Sequence, residues 1–289
     1  MNIRDEIKSI RPGFWVFTGL LFVLLYFLNA SWFKWGNLII DSYRDAWLAE
    51  NLLKGKLLYK DLFCEYGFLP YYLLACVFKF FGSNGISMVF CGIAVTAAVS
   101  FFLYKTARLF FDEVVSGLAV FTFLTVFAFG NYQQTGIFNF ILPYSIAATI
   151  FCLFCTASLY YLCRSIISDE IIWLKVWSAL YGFTFLCRPD IPLVCWAGTA
   201  VALLPVLWQT RHKKVLIFSC LFAPLFFALV SYAVFFSITG SLPDFYQHVI
   251  RHGMVVKSNT FNLTIMGIDK FGHNIITMFI SLFMSLLAV

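Results

Sequence analysis

Between Phe14 and Phe33 no side chain carries a charge, and the same holds for Ile86–Tyr104, Ile137–Cys163, Val215–Ile238 and Asn274–Val289. Backbone that enters hydrocarbon must satisfy its own N–H and C=O groups, which a helix of about twenty apolar residues does. Repeated runs of this kind predict an all-α fold, a polytopic transmembrane helical bundle. The composition agrees: 12% of residues are charged, 62% are hydrophobic, 36 are phenylalanine, and mean hydropathy is +0.87. A soluble domain carries roughly twice that share of charge. The net charge of +6 is dispersed. It suits the anionic inner face of a membrane, and the lack of a basic stripe with interleaved aromatics argues against a nucleic-acid partner.

The cysteines provide no disulfide framework. Of the nine, eight lie inside hydrophobic runs, and Cys64 falls in a polar loop. Cys152 and Cys155 have redox or metal spacing but sit mid-span without a second pair, so packing is the favoured role.

Eight spans are expected, at 14–33, 86–104, 114–130, 137–163, 171–187, 191–208, 215–238 and 274–289, in one module covering 1–289. The first follows Arg4, Lys8 and Arg11 and is flanked by Trp15, Trp32 and Trp35. It is too long for a signal-peptide core and reads as an uncleaved span with interfacial anchors. Pro143, Pro205 and Pro224 are tolerable in such helices, which repair the freed backbone groups locally.

Gly67–Phe81 is shorter, with Pro70 near its start and Lys79 near its end. If it crosses the membrane, Lys105, Arg108, Arg164, Arg211, Lys213 and Lys214 move outside while the basic amino terminus stays inside. The positive-inside rule instead makes it an interfacial helix on the outer face and puts the amino terminus in the cytoplasm. Lys175 then snorkels to the inner face. Outside lie the loop 34–85 with its juxtamembrane helices, a turn at 131–136, the corner Arg188-Pro189-Asp190, and the loop 239–271.

The outer loops hold the candidate chemistry. Ile40 to Gly55 reads as an amphipathic helix, with Ala46, Trp47, Ala49, Leu52 and Leu53 toward the membrane and Arg44, Asp45, Glu50 and Asn51 toward water. An Asp just after the first span (Asp41) is followed by A-x-x-L-L-x-G-x-x-x-Y-x-D (Ala49 to Asp61) and Y-G-x-x-x-Y-Y (Tyr66 to Tyr72). This order resembles the GT-C type membrane glycosyltransferases, in the bacterial branch akin to protein O-mannosyltransferases and aminoarabinose transferases. The resemblance is best over 36–82. It continues through Asn139–Ser145, the Leu186–Pro189 corner and Gly240-Ser241-Leu242.

The resemblance implies transfer of a sugar from a polyprenyl-phosphate donor in the outer leaflet to an acceptor glycan, lipid or protein. It implies an acidic residue of the first outer loop as catalytic base, which matches Asp41. Where the family pattern often has a second acidic residue, this chain has Ser42, and Asp45 one turn later is the second candidate. The chain ends on Ser-Leu-Leu-Ala-Val, which leads to the expectation of a fragment or shortened member lacking the family's C-terminal part.

The chemistry asks for such a carboxylate independently. A sugar or protein hydroxyl is a weak nucleophile at neutral pH, and a carboxylate within hydrogen-bond reach accepts its proton during attack. The lipid phosphate is already a good leaving group, so one base and cations for the phosphate suffice, and a single displacement inverts the anomeric carbon. Spacing alone gives Asp41 and Ser42 another role, capping the amphipathic helix, and Ser42-x-x-Asp45 also forms a capping box. The two roles are compatible.

Arg188 is the candidate for the lipid phosphate, which its guanidinium fork fits; a salt bridge to Asp190 is the structural alternative. Arg44, Tyr66, Arg251 and His252 complete the candidate substrate-binding set. His248 and His252 share a helix face, but no third ligand is evident, so no metal site is assigned and the cofactor stays unknown, with a divalent ion compatible. Asn131, Gln133, Gln134 and Asn139 place amides at an outer turn, where helix-end satisfaction is the favoured role. Asn262-Leu-Thr264 is a glycosylation sequon. A transporter or lipid flippase would also need many spans, but midplane charges and internal repeats are missing. An inactive truncated family member is the third reading.

Overall fold

The computed structural model describes residues 12–32, 41–130, 139–168, 170–209 and 214–251. The amino-terminal basic residues, the turn 131–136, most of the loop 209–214, His252, the sequon at Asn262 and the span 274–289 lie outside the described residues. So do the side chains of Asp41 and Ser42.

The helices are α1 (Pro12–Ser31), α2 (Asp41–Leu53), α3 (Leu69–Phe81), α4 (Gly85–Ala107), α5 (Glu113–Thr122), α6 (Ile146–Ser168), α7 (Ile171–Cys187), α8 (Pro192–Gln209), α9 (Lys214–Thr239) and α10 (Leu242–Phe245). A π-helical turn at Phe123–Ala128 prolongs α5, and another at Tyr246–Arg251 follows α10. No strand occurs among the described residues. Gly13–Ser31, Gly85–Ala107, Ile146–Ser168 and Val215–Thr239 are long and apolar enough to cross a membrane, and four shorter helices are apolar too. Phe17, Phe22 and Tyr26 of α1 and Val215, Phe226 and Ile238 of α9 are exposed. Such surface is stable against hydrocarbon, not water. The chain is an all-α integral membrane protein.

Local sequence sets the helix starts. Asn84 caps α4 by accepting the Ser87 N–H (2.9 Å), and Asp112 caps α5 by accepting the Val115 N–H (2.9 Å). Pro70 opens α3, where its missing N–H costs nothing. At 13 residues α3 is well short of a span, and it buries Pro70, Tyr71, Leu74, Ala75 and Phe78.

Two compact units emerge. The larger joins the described residues up to Lys56 with Tyr66–Ile238. Within it α1 and α5 run parallel: a Cβ on Gly117 would come within 2.6 Å of the Val16 side chain, and one on Gly13 within 3.1 Å of Glu113 Oε2. A small residue at the crossing lets the two backbones approach. α7 returns antiparallel along α6, with Phe154 stacked on Phe183 (5.2 Å) and Tyr161 on Trp173 (5.7 Å). The core of this unit gathers Leu162, Trp177, Tyr181, Phe185, Leu203 and Leu221. Arg164 lies over the Trp173 ring at 3.8 Å, at the end of the α6–α7 pair opposite to Ser145 and Arg188.

The smaller unit joins Leu57–Glu65 to the described residues from Thr239 onward. Its loop is knotted by Asp61, whose carboxylate accepts the Leu57 N–H (2.8 Å) while its own N–H reaches the Leu57 carbonyl (2.9 Å). Tyr59 is held there at φ 68°, a costly conformation for a bulky residue, with its ring buried against Phe245 (5.0 Å).

Candidate functional site

The site begins with a glycine. Gly67 donates its N–H to the Cys187 carbonyl at 2.9 Å, and a Cβ there would collide with the backbone of Leu186 and Cys187. Only glycine lets the loop press so closely on the end of α7. That end is itself dictated by sequence, since Pro189 disfavours helical backbone at Arg188, which is extended (φ −144°, ψ 100°). Tyr66 and Arg188 are thereby brought together, the guanidinium carbon lying 4.9 Å from the ring centroid. Arg44 reaches the same ring at 5.9 Å. One aromatic face thus gathers two permanent cations from distant parts of the chain.

Each arginine meets a carboxylate. Arg188 forks onto Asp190, with Nε 3.4 Å from Oδ1 and Nη2 3.0 Å from Oδ2. That pair is partly exposed (23% and 41%), so it holds Arg188 only weakly. Arg44 Nε lies 3.5 Å from Asp45 Oδ1. The other Asp45 oxygen accepts the Ile146 N–H at 2.7 Å, across 101 residues of sequence, and so caps α6. A carboxylate is well placed there by the positive end of the helix dipole.

This corrects the expected faces of α2. Asp45 and Asn51 do not face water: they are 0% and 5% exposed, on the side of Leu48 and Ala49. Burial is tolerated because each polar group is satisfied, Asp45 by Ile146 and Arg44, and Asn51 by donating to the Trp47 carbonyl at 2.8 Å.

Beside this cluster lies a cavity of about 530 Å³ lined by Tyr66, Arg188, Asn139, Ser145, Thr149 and Cys152, with Val126, Phe127, Phe140 and Pro143 as apolar wall. The π-helical turn supplies Val126 and Phe127, and insertions of this kind recur at functional sites. Gly92 lets α4 lie directly against the segment that carries Asn139, since a Cβ there would collide with the Phe140 and Ile141 carbonyls. The Asn139 side chain accepts the Leu142 N–H at 2.7 Å, satisfying a turn as expected, and still borders the cavity.

Of the sequence-derived candidates, Arg44, Asp45, Tyr66 and Arg188 therefore form one cluster. Asp41 is the first residue of α2, one turn before Asp45. Arg251 is exposed in the smaller unit. Ser145 closes the family-like stretch Asn139–Ser145 but carries no candidate role in the sequence, and nothing in the local pattern separates Thr149 from an ordinary helix-end residue. Among the described residues no three His, Cys, Asp or Glu side chains gather as a metal-binding group.

Residues 66–235 match the family model described as dolichyl-phosphate-mannose-protein mannosyltransferase. The match covers more than half of the chain and includes Tyr66, Asn139, Ser145 and Arg188, whereas Asp41, Arg44 and Asp45 precede it. No curated protein and no solved structure matches.

Proposed function

Since the chain belongs to the dolichyl-phosphate-mannose-protein mannosyltransferase family, whose members are membrane glycosyltransferases, we propose that it moves a sugar from a polyprenyl-phosphate donor to an acceptor on the outer face of the bacterial cytoplasmic membrane. The observation that carries this reading is the cavity bordered by Arg188 on its Tyr66 platform. A guanidinium fork held loosely by an exposed carboxylate is ready to exchange that partner for a dianionic or monoanionic phosphate. The apolar wall suits the first isoprene units.

In the proposed reaction an acceptor hydroxyl oxygen attacks the anomeric carbon from the face opposite the phosphate. The bond from that carbon to the phosphate oxygen breaks, and its electrons leave on the lipid phosphate. The hydroxyl proton passes to the Asp41 carboxylate, the general base. One displacement gives inversion. Asp45 is already engaged as the α6 cap, which favours Asp41 for the proton. The acceptor is a glycan, lipid or protein hydroxyl. A lipid-linked sugar transfer assay on purified membranes tests the reading, and absence of transfer from every polyprenyl-phosphate sugar offered refutes it.

Arg188→Lys retains the charge but loses the fork and the flat face that stacks on Tyr66. Donor affinity is expected to fall about tenfold or more while the fold survives, as measured by donor titration and thermal denaturation. Unchanged affinity assigns Arg188 to structure, through Asp190.

The proposed orientation places the amino terminus in the cytoplasm and α3 on the outer surface. Single cysteines introduced as Lys105→Cys and Arg211→Cys are expected to resist an impermeant thiol reagent applied from outside, against a background with Cys64 and the exposed Cys76 and Cys195 replaced. Labelling of both from outside reverses the assignment.

A further inference from the structure

α1 and α4 both pack on α5, and a groove of about 400 Å³ runs between them. Val120 and Leu124, each 2% exposed, form its floor, and the exposed rings of Phe17 and Phe101 stand at its rims. Its lining is apolar except for Ser100 and Tyr104. Along α1 it extends from Gly13 to Leu24, a rise of about 16 Å at 1.5 Å per residue. The hydrocarbon core of a bilayer is about 30 Å thick, so the groove is as deep as one leaflet. A slot of that depth fits an acyl chain of that leaflet.

The groove has one charged end, where α1 begins, α4 ends and α5 begins. Lys105 follows Tyr104 there, and its ammonium lies 5.7 Å from the centre of the Phe101 ring. Helix side chains lean toward the start of their helix, which brings this ammonium back over a residue of the groove. The other described charges at this end are engaged. Arg108 donates to the Phe111 carbonyl (2.8 Å) and meets Glu113 (3.8 Å), whose other carboxylate oxygen is buried against Gly13. Asp112 caps α5. Among the described residues no carboxylate pairs with Lys105. An apolar slot one leaflet deep, with an unmatched ammonium at its mouth, complements an amphiphile that carries an acyl chain and an anionic headgroup.

We propose that this groove binds an anionic phospholipid, with its phosphate at Lys105 and one acyl chain along α1. The site is separate from the donor cavity. Gly92, which abuts the segment of Asn139, and Lys105 lie about 20 Å apart along α4. The inference therefore stands apart from the sugar donor. In the proposed orientation the lipid belongs to the cytoplasmic leaflet, where anionic lipids gather around juxtamembrane cations.

The purified full chain is reconstituted in vesicles of phosphatidylglycerol and phosphatidylcholine, in equal amounts and with identical acyl chains. It is then extracted in mild detergent, and its retained lipid is counted by native mass spectrometry. Phosphatidylglycerol is expected to be retained about fivefold over phosphatidylcholine, the effect of one lysine near a headgroup, and less so at high salt. Lys105→Gln is expected to bring the two lipids close to equality, and Lys105→Arg to keep the preference. Ala97→Phe fills the groove from an exposed position and is expected to lose the retained lipid whatever its headgroup. Each variant is compared at a melting temperature near parental, which its exposed position favours. Equal retention of the two lipids by the parental chain overturns the proposal, as does a preference that survives Lys105→Gln or Ala97→Phe. Conversion of a dimer to a monomer by Ala97→Phe, with lipid retention unchanged, assigns the groove to a second copy of the chain and overturns it too.

Discussion

Asp41→Asn is expected to lower sugar transfer by roughly a hundredfold or more while leaving thermal stability close to parental. The amide keeps the size of the carboxylate and caps a helix about as well, so the folded state loses little. It cannot accept the acceptor's proton, so the displacement must proceed from a neutral hydroxyl. Asp41 opens α2 from the segment that follows α1, one turn from the cluster in which buried Asp45 meets the half-buried Arg44 and Tyr66. A helix turn is about 5.4 Å, which keeps Asp41 near that cluster. A residue that only caps behaves differently: Asp41→Ala then loses up to about 2 kcal/mol of stability and Asp41→Asn is silent in both assays. Transfer at the parental rate by Asp41→Asn removes the base assignment from this residue.

Asp45→Ala is expected to show the opposite signature. Stability should fall by roughly 3 kcal/mol, because the change strips the α6 cap and strands a buried N–H at Ile146 beside a half-buried arginine. Detergent-solubilised protein should melt at a clearly lower temperature, with transfer lost in proportion to the folded fraction. Asp45→Asn retains an oxygen for the Ile146 N–H and should recover much of that stability. Should Asp45→Asn keep parental stability yet abolish transfer, the proton acceptor lies one turn further along α2 than Asp41. The two carboxylates thus separate by experiment: the one is read in rate, the other in melting.

The same pair shows how far sequence reasoning reaches. Long runs without charge determine a membrane-embedded helical protein, because hydrocarbon admits no unsatisfied backbone, and no tertiary information is needed for that step. The Gly67–Phe81 segment was legible as a helix shorter than the other runs, and the helix over Leu69–Phe81 agrees in extent; its expected place on the outer face rests on the charges of the neighbouring loops. Asn84 and Asp112 each cap a helix through an N–H three residues on, a contact that needs nothing from distant parts of the chain.

Contacts between distant segments were not legible. Asp45 looks like a solvated residue of an amphipathic helix until Ile146 is brought to it from 101 residues away. Gly67 reads as an ordinary turn glycine until α7 presents its last carbonyls, and only that close approach seats Tyr66 under Arg188 and Arg44. Local pattern determined which residues were polar, charged or small, because those properties belong to each side chain alone. Tertiary packing decided which of them are buried, paired or left facing a cavity, because burial and pairing depend on what the rest of the chain brings within hydrogen-bond reach.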